Sequence, residues 1–128
     1  MAHDDIRHKT PLIVLAGEGR TSVRLELREF GRDLILHIGG GAVHAGAVAV
    51  SHRGGLGGEP ATELITTPGH KEGPLARDAA QILAAATDRT CVVVAGIHQD
   101  DATGEEIDAI VANVTRAVKE LAVRLATS

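Results

Sequence analysis

From Thr21 to Glu29 polar and apolar residues alternate: Val23, Leu25 and Leu27 share one face, while Arg24, Glu26 and Arg28 share the other. Period two with one charged face predicts a half-buried strand. Gly31-Arg32-Asp33 supplies a turn, and Leu34-Ile35-Leu36-His37-Ile38 resumes as a more fully buried strand, so the two read as an antiparallel hairpin. Gly39-Gly40-Gly41 then interrupts the pattern and permits backbone with positive φ. A third strand is expected over His44–Val50, whose small side chains let another backbone, a subunit or a flat ligand come close. Arg53–Pro60, with four glycines, reads as a loop, and Glu63–Thr67 as a short extended piece before Pro68.

The period then changes. Leu75, Ala79, Ile82, Leu83 and Ala86 form a helical stripe that starts at Pro74, a residue tolerated in a first turn. A buried strand is expected from about Thr90 to Ile97. In the last segment Thr103 and Glu106 have capping-box spacing, and Ile107, Ile110, Val111, Val114, Val118, Leu121 and Leu125 follow helical spacing. Burying each side chain contributes about 1.5–3 kcal/mol before entropy, so the whole stripe is expected to be core and not a binding surface. The order βββαβα predicts a single-domain α/β two-layer sandwich, a mixed β-sheet with helices on one face. Residues 1–20 are expected to be a mobile N-terminal arm and lead-in, and 21–128 the folded domain.

A chain of 128 residues fits one domain, with a radius of gyration of about 14 Å. It cannot wrap a large cofactor, so a ligand of that size is expected in a surface cleft or between subunits. Phe30 is the one aromatic residue apart from histidines, and the formal charge is -4. Both features argue against nucleic acid, which calls for stacking platforms and positive charge. Cys91 stands alone in an apolar run and reads as a buried thiol, which fits a reducing cytoplasm. Leu12–Ala16 is too short for a signal-peptide core or a membrane span, and the expected location is cytoplasmic.

Seven histidines are many for this length, and His37, His44, His52, His70 and His98 lie beyond the arm. His37 and His52 read as ordinary polar residues. His44, His70 and His98 stand beside glycines at element ends, where α/β folds place ligands. No HExxH or cysteine pair is present, so a metal held by His44, His70 and His98 has only a weak signal. Of the two helix starts, the second is crowded by Asp100, Asp101, Glu105 and Glu106, which repel phosphate. The first follows Gly69-His70-Lys71-Glu72-Gly73 and suits an anion. Alternatively, a divalent cation on histidines with Glu72 or Asp100 bridges to the phosphate. Neither a Walker pattern nor GxGxxG in its strand-to-helix setting occurs.

Three blocks together, Gly39-Gly-Gly-Ala-Val-His-Ala-Gly-Ala-Val48, Gly69-His-Lys-Glu72, and Val94-Ala-Gly-Ile-His98 with Thr103-Gly-Glu-Glu-Ile107, resemble the LpdD-like domain associated with gallate decarboxylase. The similarity runs from about residue 21 to 125. It implies binding of prenylated flavin mononucleotide (FMN), with maturation, storage or delivery to a UbiD-type decarboxylase, the cofactor being made by a flavin prenyltransferase. Carried over by position, the cofactor-binding residues are Gly40, Gly41, His44 and Gly46, then Gly69, His70, Lys71 and Glu72, then Gly96, Ile97 and His98. A homodimer with shared sites is expected, because Phe30 alone offers a ring to stack on. Two other readings compete: a small metal-dependent enzyme with Glu72 as general base, and a structural subunit of a decarboxylase complex.

Overall fold

The computed structural model describes residues 11–53 and 58–126. Strands β1 (Leu12–Ala16), β2 (Val23–Phe30), β3 (Asp33–Gly41), β4 (Ala47–His52) and β5 (Ala61–Thr66) are followed by helix α1 (Gly73–Thr87), strand β6 (Cys91–His98) and helix α2 (Gly104–Ala126). They form one sheet of order β1-β2-β3-β6-β4-β5. All neighbours are antiparallel except β3 and β6, which run parallel with Gly39 beside Gly96 and Gly41 beside His98. The expected mixed sheet with helices on one face is therefore present.

The period-two pattern sorts the two faces. Leu25 and Leu27 of β2 pair with Ile38 and Leu36 of β3, and all four are buried. Cys91, Val93 and Ala95 of β6 and Ala47 and Ala49 of β4 continue the same layer. Ala76, Ala79, Ala80 and Ala84 of α1 meet it with the smallest side chain available, which lets that helix lie close over β4 and β6. The second helix covers β1 and β2 and adds Ile110, Val114, Val118 and Leu121. Burial without a nearby cation pushes the Cys91 thiol up to about 12, in keeping with a structural thiol. The opposite face has no helix; Arg24 and His37 are exposed there, and Ile35, Val92 and Val94 are half-buried.

Both helix ends are fixed locally. Glu106 donates its N–H to Thr103 Oγ1 at 3.1 Å, and Thr103 donates its own to Glu106 Oε1 at 3.0 Å, the reciprocal pair expected of a capping box. At the end of α1, Asp88 takes left-handed backbone at φ 57° and its N–H returns to Ala84 O.

Four expectations change. Leu12–Ala16, assigned to the arm and lead-in, is an edge strand with Val14 buried; residues 1–10 lie outside the described ones. Ala61–Thr66 is a full edge strand rather than a short piece. The third strand starts at Ala47, because His44–Gly46 crosses the end of β6. Finally, Ile107 and Val111 are 50% and 43% exposed, so the α2 stripe is core only from Ile110 onward along its inner edge. Part of the Arg53–Gly58 loop (residues 54–57) also lies outside the described residues.

Candidate functional site

The parallel pair brings the C-terminal ends of β3 and β6 together, and the chain must then pass from β3 over β6 to reach β4. It does so through Ala42–Gly46, tied down by Ala42 N–H to His98 O and Gly46 N–H to Ala95 O, both 2.9 Å. Three glycines are required by this crossing. A Cβ on Gly96 would fall on the His44 carbonyl, one on Gly41 on the His98 carbonyl, and one on Gly46 on the Glu72 carboxylate. Gly41 and Gly69 also have positive φ, 59° and 81°. Gly40 is packed differently: a Cβ there would lie 3.1 Å from Ser22 O and 3.2 Å from Ile97 Cγ2.

The structure brings His44, His70 and His98 to this one end of the sheet. The ring centroids of His44 and His70 lie 4.5 Å apart, and those of His44 and His98 6.5 Å apart. Each ring has a partner that assigns its protons. His44 Nδ1 donates to Ala42 O at 2.9 Å. Thr67 Oγ1 donates to Gly46 O, so it accepts from His70 Nδ1, at 2.7 Å. His98 Nε2 donates to Asp100 Oδ1 at 2.9 Å.

Glu72 lies beneath this cluster and is buried. Its Oε1 accepts from Lys71 N–H at 2.9 Å and its Oε2 from Ile97 N–H at 3.3 Å, so it joins the start of α1 to the end of β6. His44 Nε2 is 3.0 Å from Glu72 Oε2, an ion-pair distance, yet out of line for a hydrogen bond and otherwise without a polar partner. With Nδ1 already donating, contact at 3.0 Å is attractive only when one of the two facing atoms carries a proton.

Two cavities lie near this cluster. One, about 580 Å³, opens on the helix-free face and is lined by Leu15, Arg24, His37, Gly39, Val43 and His44, among others. The other, about 400 Å³, lies between the helix starts and is lined by His70, Lys71, Glu72, Ile97, His98 and Ile107, among others. Sequence reasoning missed Arg24, His37 and Val43. Arg24 and His37 looked like the polar side of strands, although their faces and their distance from Gly39 were readable from period two. Ile107 and Val111 were misassigned to the core because helical spacing gives the face of a helix but not where its neighbour ends.

Two further expectations meet the geometry. Among the described residues no group of three or more His, Cys, Asp or Glu could hold a metal ion. The metal reading for His44, His70 and His98 gains no support. Phe30, exposed beside the Gly31 turn, is at the opposite end of the hairpin from Gly39 and cannot stack at this site. Among the described residues no helix is long and apolar enough to cross a membrane.

The family model for the prenylated flavin chaperone LpdD-like domain matches residues 17–126. No curated protein matches the chain. Among solved structures, a chain from the crystal structure of a novel chaperone complex for yeast 20S proteasome assembly is similar, with a TM-score of 0.58 and 14% identity over 92% of this chain and 95% of that one. At that identity the likeness concerns the fold alone. The family match covers nearly all of the described residues, and the chain belongs to the prenylated flavin chaperone LpdD-like family.

Proposed function

We propose that this protein binds prenylated FMN at the histidine end of its sheet and carries it, without transforming it, to a UbiD-type decarboxylase. The observation that carries the reading is the convergence of the glycine–histidine corners around two adjoining cavities, in a chain of this family. The residues fit an anionic flat ligand. Lys71 is exposed beside the start of α1 and provides N⁺–H donors for a phosphate, with the exposed rings of His70 and His98 next to it. Gly40, Gly41, Gly46 and Gly96 let the backbone pass where side chains would block it, Gly69 supplies a turn with positive φ, and Ile97 adds an apolar wall. Glu72 fixes the position of His44 and the two strand and helix ends. When bound, the cofactor is cargo, and its chemistry belongs to the decarboxylase that receives it.

The larger cavity opens on the helix-free face, and we include a homodimer in which a second subunit covers it. A cytoplasmic location and transient contact with the flavin prenyltransferase complete the reading. Residues 21–128 form the binding unit, to which the edge strand β1 is added. The test is titration of the purified chain with FMN and with prenylated FMN, followed by absorbance and by quenching of flavin fluorescence. Saturable binding of the prenylated form without turnover supports the proposal. No spectral change with either compound overturns it. Light scattering with and without ligand tests the dimer.

A further inference from the structure

Beside Gly40, Gly41 and His44, the larger cavity is lined by Leu15, Arg24, His37 and Val43, which the family resemblance did not name as binding residues. Gly39 leaves a gap in the open face, one side chain wide, between Arg24 on β2 and the His44 crossing on β6. A Cβ on Gly39 would lie 3.0 Å from Val43 Cγ2, so the exposed Val43 side chain sits in this gap and has to swing out for a ligand to enter. Leu15 pairs with Arg24 on the outer side, and Val94 pairs with His37 below. The result is a flat-floored slot with apolar sides and donors at one edge. Arg24 holds only an exposed pairing with Glu26 Oε1 at 2.9 Å, which Glu26 shares with Arg28, so its guanidinium can turn to a ligand at little cost.

We infer that this slot takes the ring system of the ligand and that Arg24 meets the ring's carbonyl edge, while the phosphate lies across His44 at His70 and Lys71. The inference rests on the flavin reading above and goes further by dividing the ligand between the two cavities. A flat heteroaromatic with acceptors on one edge matches apolar walls around a missing side chain. A guanidinium fork matches paired carbonyl acceptors better than an ammonium does. The phosphate is better placed in the second cavity, where Lys71, His70 and His98 gather; in the first, the Glu26 carboxylate stands beside Arg24. His44 lines the first cavity, and its ring lies 4.5 Å from that of His70, which lines the second.

The experiment is equilibrium titration of the full chain with prenylated FMN, FMN and riboflavin, comparing wild type with Gly39→Ile, Arg24→Ala and Lys71→Ala. Gly39→Ile fills the slot with a strand-compatible side chain and is expected to weaken every flavin that wild type binds roughly tenfold or more. Arg24→Ala is expected to weaken them all by roughly three- to tenfold. Lys71→Ala should weaken the two phosphorylated ligands roughly tenfold and leave riboflavin within about twofold. Arg24 is exposed, so Arg24→Ala decides the matter even if Gly39→Ile fails to fold by circular dichroism. Wild-type affinity in Arg24→Ala, or equal losses of riboflavin and FMN in Lys71→Ala, overturns the division alone. Binding of none of the three flavins by wild type overturns the flavin reading and the division with it.

Discussion

Replacing Gly96 by alanine tests the crossing on which the site depends. The added Cβ would coincide with the His44 carbonyl, which is backbone and cannot rotate away like a side-chain tip. Either β6 or the Ala42–Gly46 segment must shift. Overpacking of this kind costs about 1–3 kcal/mol. A shift also strains the 2.9 Å bonds from Ala42 N–H to His98 O and from Gly46 N–H to Ala95 O, each worth about 0.5–1.5 kcal/mol. A total near 3 kcal/mol lowers the melting temperature of a chain this size by roughly 10 °C. The control is Gly104→Ala at the start of α2, where a Cβ meets nothing within 4 Å; helix propensity there predicts no loss and a gain of up to about 1 kcal/mol. The assay is thermal unfolding followed by far-ultraviolet circular dichroism, with a flavin titration on each variant. If Gly96→Ala melts within about 2 °C of wild type and binds flavin equally well, the crossing does not constrain the site and the reasoning fails.

Other expectations follow from neighbouring groups. Glu72→Ala removes the acceptor of the Lys71 and Ile97 N–H groups, and an unpaired buried N–H costs about 1–3 kcal/mol; a lower urea midpoint with unchanged slope is expected, and an unchanged midpoint would show that water replaces the carboxylate. The Cys91 thiol, held near 12 by burial, stays protonated at pH 8, so a thiol reagent should label the denatured chain and spare the folded one; rapid labelling of the native protein would contradict this. The hydrogen bond from Arg20 holds the Glu106 carboxyl below the usual carboxylate range. Its folded-state value is the lower one, so its contribution is complete above the unfolded carboxylate range and is lost as pH falls through the folded value. A carbon-detected titration should therefore show Glu106 moving up toward the ordinary range in Arg20→Ala.

How much was legible can be argued from particular residues. Alternation at Val23–Leu27 and the i, i+3, i+4 stripe of Val114–Leu121 reflect simple burial, and both faces were readable. The capping box at Thr103 and Glu106 is a local hydrogen-bond pattern and was equally plain. Leu12–Ala16 was not readable as a strand, because an edge strand one residue from a turn shows five apolar or small residues in a row and no period. The clustering of the histidines was expected from their glycine neighbours. The identity of what those glycines make room for was not: Gly96 faces the His44 backbone and Gly46 faces Glu72, contacts between residues far apart in sequence that periodicity cannot express. The slot over Gly39 was hidden for the same reason, since its walls come from four different strands and the crossing loop.

Strand β6 is made late in the chain, yet among the described residues it is the strand that pairs with both the β1-β2-β3 meander and the β4-β5 hairpin. Until Cys91–His98 emerges during synthesis, neither piece has a neighbour along its inner edge, and closing the sheet requires pairing over a long sequence separation, which slows folding. Cargo capacity should thus arrive all at once with the C-terminal third. A fragment ending at Thr90 is expected to lack both a cooperative unfolding transition and any affinity for flavins, and a folded, binding-competent fragment of that length would refute this.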